Sequence, residues 1–399
     1  MANLSFAMAK SCLYIGRMQG LTGNNMTRQR KQARARDLGI DLGGTPGPLN
    51  AITDISGIAV GMVTIIEDKP RPGRSKLVRT GATAIVPHHS SATPHPVWAG
   101  ISRFNGNGEM TGSHWIEDGG YFVGPVLITN THSVGMAHHA AVKWMIGKSP
   151  YSDQEEHLWV MPVVAETYDG VLNDINAQTL TELDFLSALE TARPGPVAEG
   201  NTGGGAGMIT YEFKAGTGTA SRIIQIDGQP QTVGVLVQSN FGRREWLTIT
   251  GVPVGRHFPI DRSVAPAERG SIIAVIATDI PMAPHQLKRL ARRAALGIGR
   301  TGAIGGNSSG DIFLAFSTAN AGPLPHEAGT YLQTRMLNDE NFDPVYEAAV
   351  QCVEEAVLNA LVAAEPMGGT QWDEAFVPAI DHTALVDVLA RYNRLKAQP

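Results

Sequence analysis

Six short apolar runs, each closed by glycine or polar turn residues, set the limits on what this chain can become. They are Val123–Thr129, Leu158–Ala165, Ile223–Ile226, Val233–Val237, Ser271–Thr278 and Ile312–Phe316. Runs this short, bounded by turn signals, predict strands. Pro162 inside the second marks an edge strand or a bulge, because proline cannot donate to a ladder. The third and fourth flank "DGQPQ" and predict a hairpin. No apolar run reaches the ~18 residues of a membrane-spanning helix, so no membrane partner is expected.

Three segments carry helical signals instead. "PHQLKRLARRAALG" has Pro284 in a first-turn position and Gly297 as its stop, with Leu287, Leu290, Ala294 and Ala295 at helical spacing. Asp343–Pro344 reads as a cap followed by proline at the first helical position, then Tyr346, Ala349, Val350, Val353, Val357 and Leu361 follow on one face. Residues 181–192 form a third helix, stopped by "RPGP". Strands mixed with such helices predict layers of helix on sheet in one unit, an α/β (α+β) fold.

Forty-five of the 399 residues are glycine, against a usual ~7%. They cluster without a collagen period, which points to tight backbone turns around a site. The net charge of −5 leaves no basic footprint, so nucleic acid is excluded as a partner. The two cysteines, Cys12 and Cys352, cannot build a disulfide framework, and a reducing, cytoplasmic setting fits them. Residues 1–25 make a poor secretory signal, and Met26 opens a basic run; residues 1–35 read as a floppy tail or an over-early start, with a degenerate export signal to the periplasm as the alternative.

The histidines form adjacent pairs, His88–His89 and His138–His139, with no zinc-site spacing, and neither metal nor cofactor is expected. The glycine loop "EGNTGGGAGM" ends without the Lys-Ser/Thr of a phosphate loop and leads into strand-like sequence, so close backbone approach is the better reading. No G-x-S-x-G elbow is present.

The dipeptide Gly270–Ser271 stands between a charged, proline-bearing segment, residues 255–270, and an apolar strand. Such a segment suits an exposed, cleavable linker. Alone, the dipeptide reads more simply as a loop glycine before a strand serine. If the bond breaks, however, Ser271 gains an α-amine beside its own hydroxyl, and an amine titrating near ~7.7–8.0 can serve as its base. Glycine before it permits the strained backbone that such an attack on the preceding carbonyl requires. Two further pairs supply partners. Ser309 and Asp311 share a strand face, where the acid can orient a hydroxyl and stabilise nearby positive charge. Glu166 and Tyr168 offer a carboxylate for an ammonium group and a phenol for an oxyanion, and Asn240 adds an amide donor.

In order, "RTGATAIVPH", "NGNGEMTG", "TNTHSVG", "ETYDG", "EGNTGGGAGM", "VQSNFG", "GSIIAVIATDIPMAPHQLKRLARRAALG" and "SSGDIFLAFSTAN" resemble the L-aminopeptidase/D-esterase and β-peptidyl aminopeptidase family of self-processing serine hydrolases, from about Arg36 to about Gly369. The resemblance implies a four-layer αββα sandwich, similar to N-terminal-nucleophile hydrolases but differently connected. It implies autocleavage into residues 36–270, with their tail, and 271–399, fragments of one catalytic domain that stay together and assemble into an oligomer, typically a tetramer of αβ units. It assigns Ser271 as nucleophile, Ser309 and Asp311 as the pair around it, Tyr168 and Asn240 as oxyanion and positioning groups, and Glu166 as the holder of the substrate's ammonium. Some relatives carry Glu in place of Asp311. The implied activity is release of small N-terminal residues from peptides and amides, L-, D- or β-configured. A related acyltransferase, whose nucleophile is typically threonine, and an uncut ligand-binding protein are the alternatives.

Overall fold

The computed structural model describes residues 32–68, 77–91, 95–148, 158–258, 270–368 and 376–396. Its strands are β1 Ala59–Glu67, β2 Val78–Val86, β3 Pro96–Arg103, β4 Tyr121–Val123, β5 Val126–Asn130, β6 Val163–Thr167, β7 Ile209–Thr210, β8 Phe213–Lys214, β9 Thr217–Ile226, β10 Gln229–Asn240, β11 Ser271–Thr278 and β12 Gly310–Ser317. Its helices are α1 Ser113–Gly119, α2 Val134–Lys148, α3 Glu182–Glu190, α4 Pro284–Ala291, α5 Arg293–Arg300, α6 Asp343–Val362 and α7 His382–Arg391.

Two sheets dominate. The smaller runs β1-β2-β5-β6 and the larger β4-β3-β12-β11-β10-β9. β5–β6 and β11–β12 pair in parallel. Strand alternation then builds the layers. In β11, Ile273, Val275 and Ala277 face the smaller sheet and pack with Val126, Ile128, Val163 and Ala165. The alternate residues Ile272, Ala274 and Ile276 pack outward on Leu287 and Leu290 of α4, Ala294 of α5 and Val353 and Val357 of α6. On the other outer face, Ala84, Leu127 and Val164 meet Ala137 and Ala141 of α2 and Phe185 and Leu189 of α3. Each fully buried aliphatic side chain here contributes about 1.5–3 kcal/mol. The result is the four-layer αββα sandwich that the resemblance implied, within one unit over Ala33–Pro399.

Several expectations change in detail. The run Val123–Thr129 is not one strand: it is divided between β4 in one sheet and β5 in the other. Gly124 makes the crossing, with φ of 92°, and a β-carbon there would lie 2.6 Å from Met145 Cε. Leu158–Ala165 contracts to β6, which begins after Pro162 and is an edge strand as expected. The hairpin forms with longer strands, turning at Asp227 and Gly228, both at positive φ, which is the two-residue turn whose twist suits a hairpin. The helix expected to stop at Gly297 breaks at Arg292 and resumes to Arg300. Gly297 is no stop: it lets α5 press on α6, where a β-carbon would sit 2.6 Å from Val353 Cβ.

Residues 1–31 of the expected tail and 259–269 of the expected linker lie outside the described residues. Arg34 and Ala35, assigned to that tail, belong to the fold. Ala35 is buried, and Arg34 pairs with Glu199 at 2.7 Å. Among the described residues no helix is long and apolar enough to cross a membrane.

Candidate active site

Ser271 opens β11, a central strand flanked by β10 and β12, and its register partners are Asn240 and Gly310. Its side chain shares the face of Ile273 and Val275, so it looks into the gap between the sheets. Ser271 is buried, and its Oγ has two partners: it donates to the Gly270 carbonyl at 2.8 Å and accepts from Gly310 N–H at 3.2 Å. The hydroxyl of this uncut chain is thus held against the carbonyl of the bond that precedes it.

The reason for glycine at 270 differs from the one expected. Its φ is not in the left-handed region. What excludes a side chain is space, since a β-carbon would lie 2.5 Å from the Asn240 carbonyl oxygen and 2.5 Å from Phe241 Cα.

Asn240 lies on the same face as Ser271, as antiparallel partners do. Its Oδ1 accepts from Ile209 N–H at 2.8 Å and its Nδ2 donates to the Tyr168 carbonyl at 2.8 Å. Those two bonds lock the amide's orientation and leave one N–H on Nδ2. Tyr168 follows β6 directly, and its ring folds over Gly170, where a β-carbon would come 2.3 Å from the phenol oxygen. The glycine-rich turn reaches this corner as well. It packs between the sheets, with a β-carbon at Gly204 falling 2.1 Å from Gln238 Oε1. The N–H groups of Gly203 and Gly204 donate to the hydroxyls of Thr64 and Thr83, so these amides are spent inside the protein and not on a phosphate.

Glu166 is buried at the end of β6. Oε1 accepts from Glu109 N–H at 3.0 Å and Oε2 from the Thr131 hydroxyl. Burial pushes its carboxyl above the usual range, and those two hydrogen bonds oppose the shift. Gly108 packs between Glu166 and Gly310: a β-carbon there would lie 3.1 Å from Glu166 Oε1 and 3.3 Å from Gly310 Cα. The carboxylate is therefore one small residue away from the strand end that carries Ser271's partner.

Ser309 and Asp311 do pair, Ser309 Oγ donating to Asp311 Oδ1 at 2.5 Å. Asn105 Nδ2 donates to the other carboxylate oxygen at 3.1 Å. Burial raises the Asp311 carboxyl, and the Ser309, Asn105 and Ile272 backbone hydrogen bonds counter it. The parallel register, however, sets Asp311 beside Ile272, on the face opposite the Ser271 side chain. The hydroxyl this acid orients is that of Ser309. Its carboxylate also accepts a hydrogen bond from the Ile272 backbone.

Asn105, Glu109 and Thr131 were not singled out from sequence. Their signal lies in "NGNGEMTG" and "TNTHSVG", two of the segments that carry the family resemblance. Asn105 and Asn107 tie that loop to the carbonyls of Gly306 and Ser308, which closes the site over the strand ends.

The sequence profile of peptidase family S58 matches residues 50–374. The chain belongs to peptidase family S58. This S58 peptidase is 48% identical over 381 residues, 91% of this chain and 93% of its relative, to the β-peptidyl aminopeptidase BapA of Sphingosinicella microcystinivorans. Among solved structures it matches an L-aminopeptidase D-Ala-esterase/amidase of Ochrobactrum anthropi with a TM-score of 0.87 at 60% identity, over 91% of this chain and 99% of that one. That protein is described as a prototype of the serine aminopeptidases and a new variant of the Ntn hydrolase fold. A Burkholderia sp. β-aminopeptidase matches with a TM-score of 0.82 at 42% identity, over 92% of this chain and all of that one (100%). The S58 peptidase is a hydrolase, an aminopeptidase of the serine type, and neither an acyltransferase nor an uncut ligand-binding protein accounts for these likenesses.

Proposed function

We propose that this peptidase cuts its own Gly270–Ser271 bond and then uses Ser271 to release small N-terminal residues from peptides and amides. The observation that carries this reading is the Ser271 hydroxyl, buried and 2.8 Å from the Gly270 carbonyl oxygen. A turn about χ1 brings Oγ onto the carbonyl carbon. The O–C bond forms, the C–N bond breaks, and the Ser271 nitrogen keeps the hydroxyl's proton. Water then hydrolyses the ester, leaving a Gly270 carboxylate and a free Ser271. Residues 1–270 and 271–399 stay together, because β11 keeps β10 as a paired neighbour across the cut.

In turnover, the freed α-amine takes the proton of its own hydroxyl as Oγ attacks the first amide carbonyl of the substrate. Asp311, fixed by Ser309 and Asn105 beside Ile272 on the neighbouring strand, stabilises the ammonium that results. The free N–H of Asn240 and the Tyr168 phenol face the oxyanion. The ammonium gives its proton to the leaving amine, and water resolves the acyl-enzyme. Glu166, held by two donors, receives the substrate's α- or β-ammonium, which restricts cleavage to the first residue. Small L-residues, D-residues as esters or amides, and β-residues are the substrates, and αβ units assemble into a homo-oligomer working in the cytoplasm.

The test is direct. Denaturing gels of purified protein show two bands, and the smaller begins Ser-Ile-Ile. Ser271→Ala gives one band and no hydrolysis of β-Ala, L-Ala or D-Ala p-nitroanilides. Full activity from an uncut chain defeats the mechanism.

A further inference from the structure

Lys214 ends β8 with its side chain fully buried. Lysine is almost never buried this completely without a partner of opposite charge. Among the described residues no carboxylate pairs with it, and its neighbours are backbone oxygens. Nζ donates to the Ala215 carbonyl at 2.6 Å, to the Met208 carbonyl at 2.9 Å and more weakly to the Gly205 carbonyl at 3.5 Å. Burial pushes its pKa well below the usual lysine range. The surrounding oxygens oppose that shift, because an ammonium is all donor and they are all acceptors. An apolar side chain would fill this place without such a desolvation cost, so the amine needs a reason beyond packing.

That reason lies one hydrogen bond further on. The Met208 carbonyl and the Ile209 N–H belong to one planar peptide group. Lys214 grips the oxygen of that group, and the N–H of the same group donates to Asn240 Oδ1 at 2.8 Å. Asn240 Nδ2 in turn donates to the Tyr168 carbonyl and keeps one N–H for the site. A line of donors therefore runs from Lys214 through two amides to the register partner of Ser271. A donor at an amide oxygen draws electron density from the nitrogen and strengthens that amide's own N–H as a donor, by about 10–30% per bond. The same contacts fix position. Lys214 ties Gly205, Met208 and Ala215 together, which holds the Ile209 N–H where it meets Asn240.

We propose that Lys214 is a positioning residue for the reaction: through the Met208–Ile209 peptide it orients the Asn240 amide and strengthens its remaining N–H as an oxyanion donor. This rests on the reading of Asn240 as an oxyanion group. Ser271 Oγ has the Gly270 carbonyl and Gly310 N–H as its partners, so the influence of Lys214 passes through Asn240 and not through the nucleophile. No bond to Lys214 forms or breaks in turnover.

A double-mutant cycle with Asn240→Ala tests this, with kcat and KM measured on self-cleaved enzyme for the fastest-cleaved of the β-Ala, L-Ala and D-Ala p-nitroanilides. Losing an oxyanion donor outright lowers kcat by ~10²–10³-fold, the effect expected of Asn240→Ala. Lys214→Met only weakens that donor, so kcat falls about three- to tenfold with KM nearly unchanged. In the Asn240→Ala background the same substitution changes kcat by less than about twofold, because a residue that acts through another has nothing left to act on. Lys214→Gln keeps N–H donors for the carbonyls and serves the same cycle should the methionine variant fold poorly, and the Tm of each variant separates a loosened fold from a lost donor. Losses that add in the double variant, a KM that rises while kcat holds, a wild-type kcat in both Lys214 variants, or a Lys214 variant that keeps the wild-type Tm but stays uncut each overturns the proposal and leaves the Ser271 mechanism standing. Asn240→Ala without effect on kcat overturns the oxyanion reading itself, and this proposal with it.

Discussion

The two ends of the sandwich use hydrogen bonds in opposite ways. At the Ser271 end, Glu166, Asp311 and Asn240 have both side-chain polar atoms engaged by neighbours, and Ser271 Oγ is bonded on two sides. At the far end, Trp144 Nε1 and His88 Nε2 are buried without a hydrogen-bond partner among the described residues. The difference follows from what each end has to do. A reacting group gains from being fixed before the substrate arrives, because the ordering cost is met during folding.

Ser271→Ala is the largest break in this contrast, expected to lower kcat by at least ~10⁴-fold and to abolish processing. Asp311→Asn comes next. Under the proposed mechanism, removing its charge lowers kcat by roughly 10²–10⁴-fold, while KM moves little. Burial raises the Asp311 carboxyl, so the wild-type enzyme loses activity on acidification at a pH above the ordinary aspartate range. A kcat unaffected by Asp311→Asn would place this acid outside the chemistry.

Glu166→Gln is smaller and differently distributed. It keeps the shape and removes the charge proposed to meet the substrate's ammonium, so KM rises about 10- to 100-fold and kcat changes less. Blocking the substrate's amine should produce the same loss in wild type and no additional loss in the variant. Additive losses would show that Glu166 acts elsewhere.

The smallest effect concerns stability. Asp169, next to Tyr168, is an exception at the engaged end: it is fully buried and its Oδ2 lacks a partner among the described residues. Burial pushes its carboxyl from 3.8 up to about 7, against hydrogen bonds from Thr80, Asn173 and Asn130. The folded chain therefore holds this proton more tightly than the unfolded chain. Stability falls as pH rises from about 4 through about 7, where the buried group ionises. Asp169→Asn removes that titration and flattens the decline of Tm between pH 5 and 8. Glu199, also raised to about 7, keeps part of the slope. Parallel melting curves for variant and wild type would refute the assignment.

Much of this was readable from sequence, and particular residues show where reading stopped. β11 begins at Ser271 and ends at Thr278, the limits of its apolar run, because glycine precedes it and every residue in it is buried. The pairs Ser309–Asp311 and Glu166–Tyr168 were visible as residues two apart at strand ends. Asn105 and Thr131 were not, because nothing local distinguishes them from turn residues; only folding brings them to Asp311 and Glu166.

The sequence by itself marked β6, β9 to β12, α3 to α6 and the position of the Gly270–Ser271 junction, since these show as runs of neighbours and local turn chemistry, while β1 to β3, α1, α2 and α7 carry no such signal there. The tertiary structure alone decided that Val123–Thr129 serves two sheets, that Gly270 is required by the backbone at Asn240 and Phe241, and that Asp311 pairs with Ile272 on the face opposite the Ser271 side chain. Those facts rest on register between strands far apart in the chain. A shift of one residue in register reverses every side chain's face, and no local pattern in either strand fixes it.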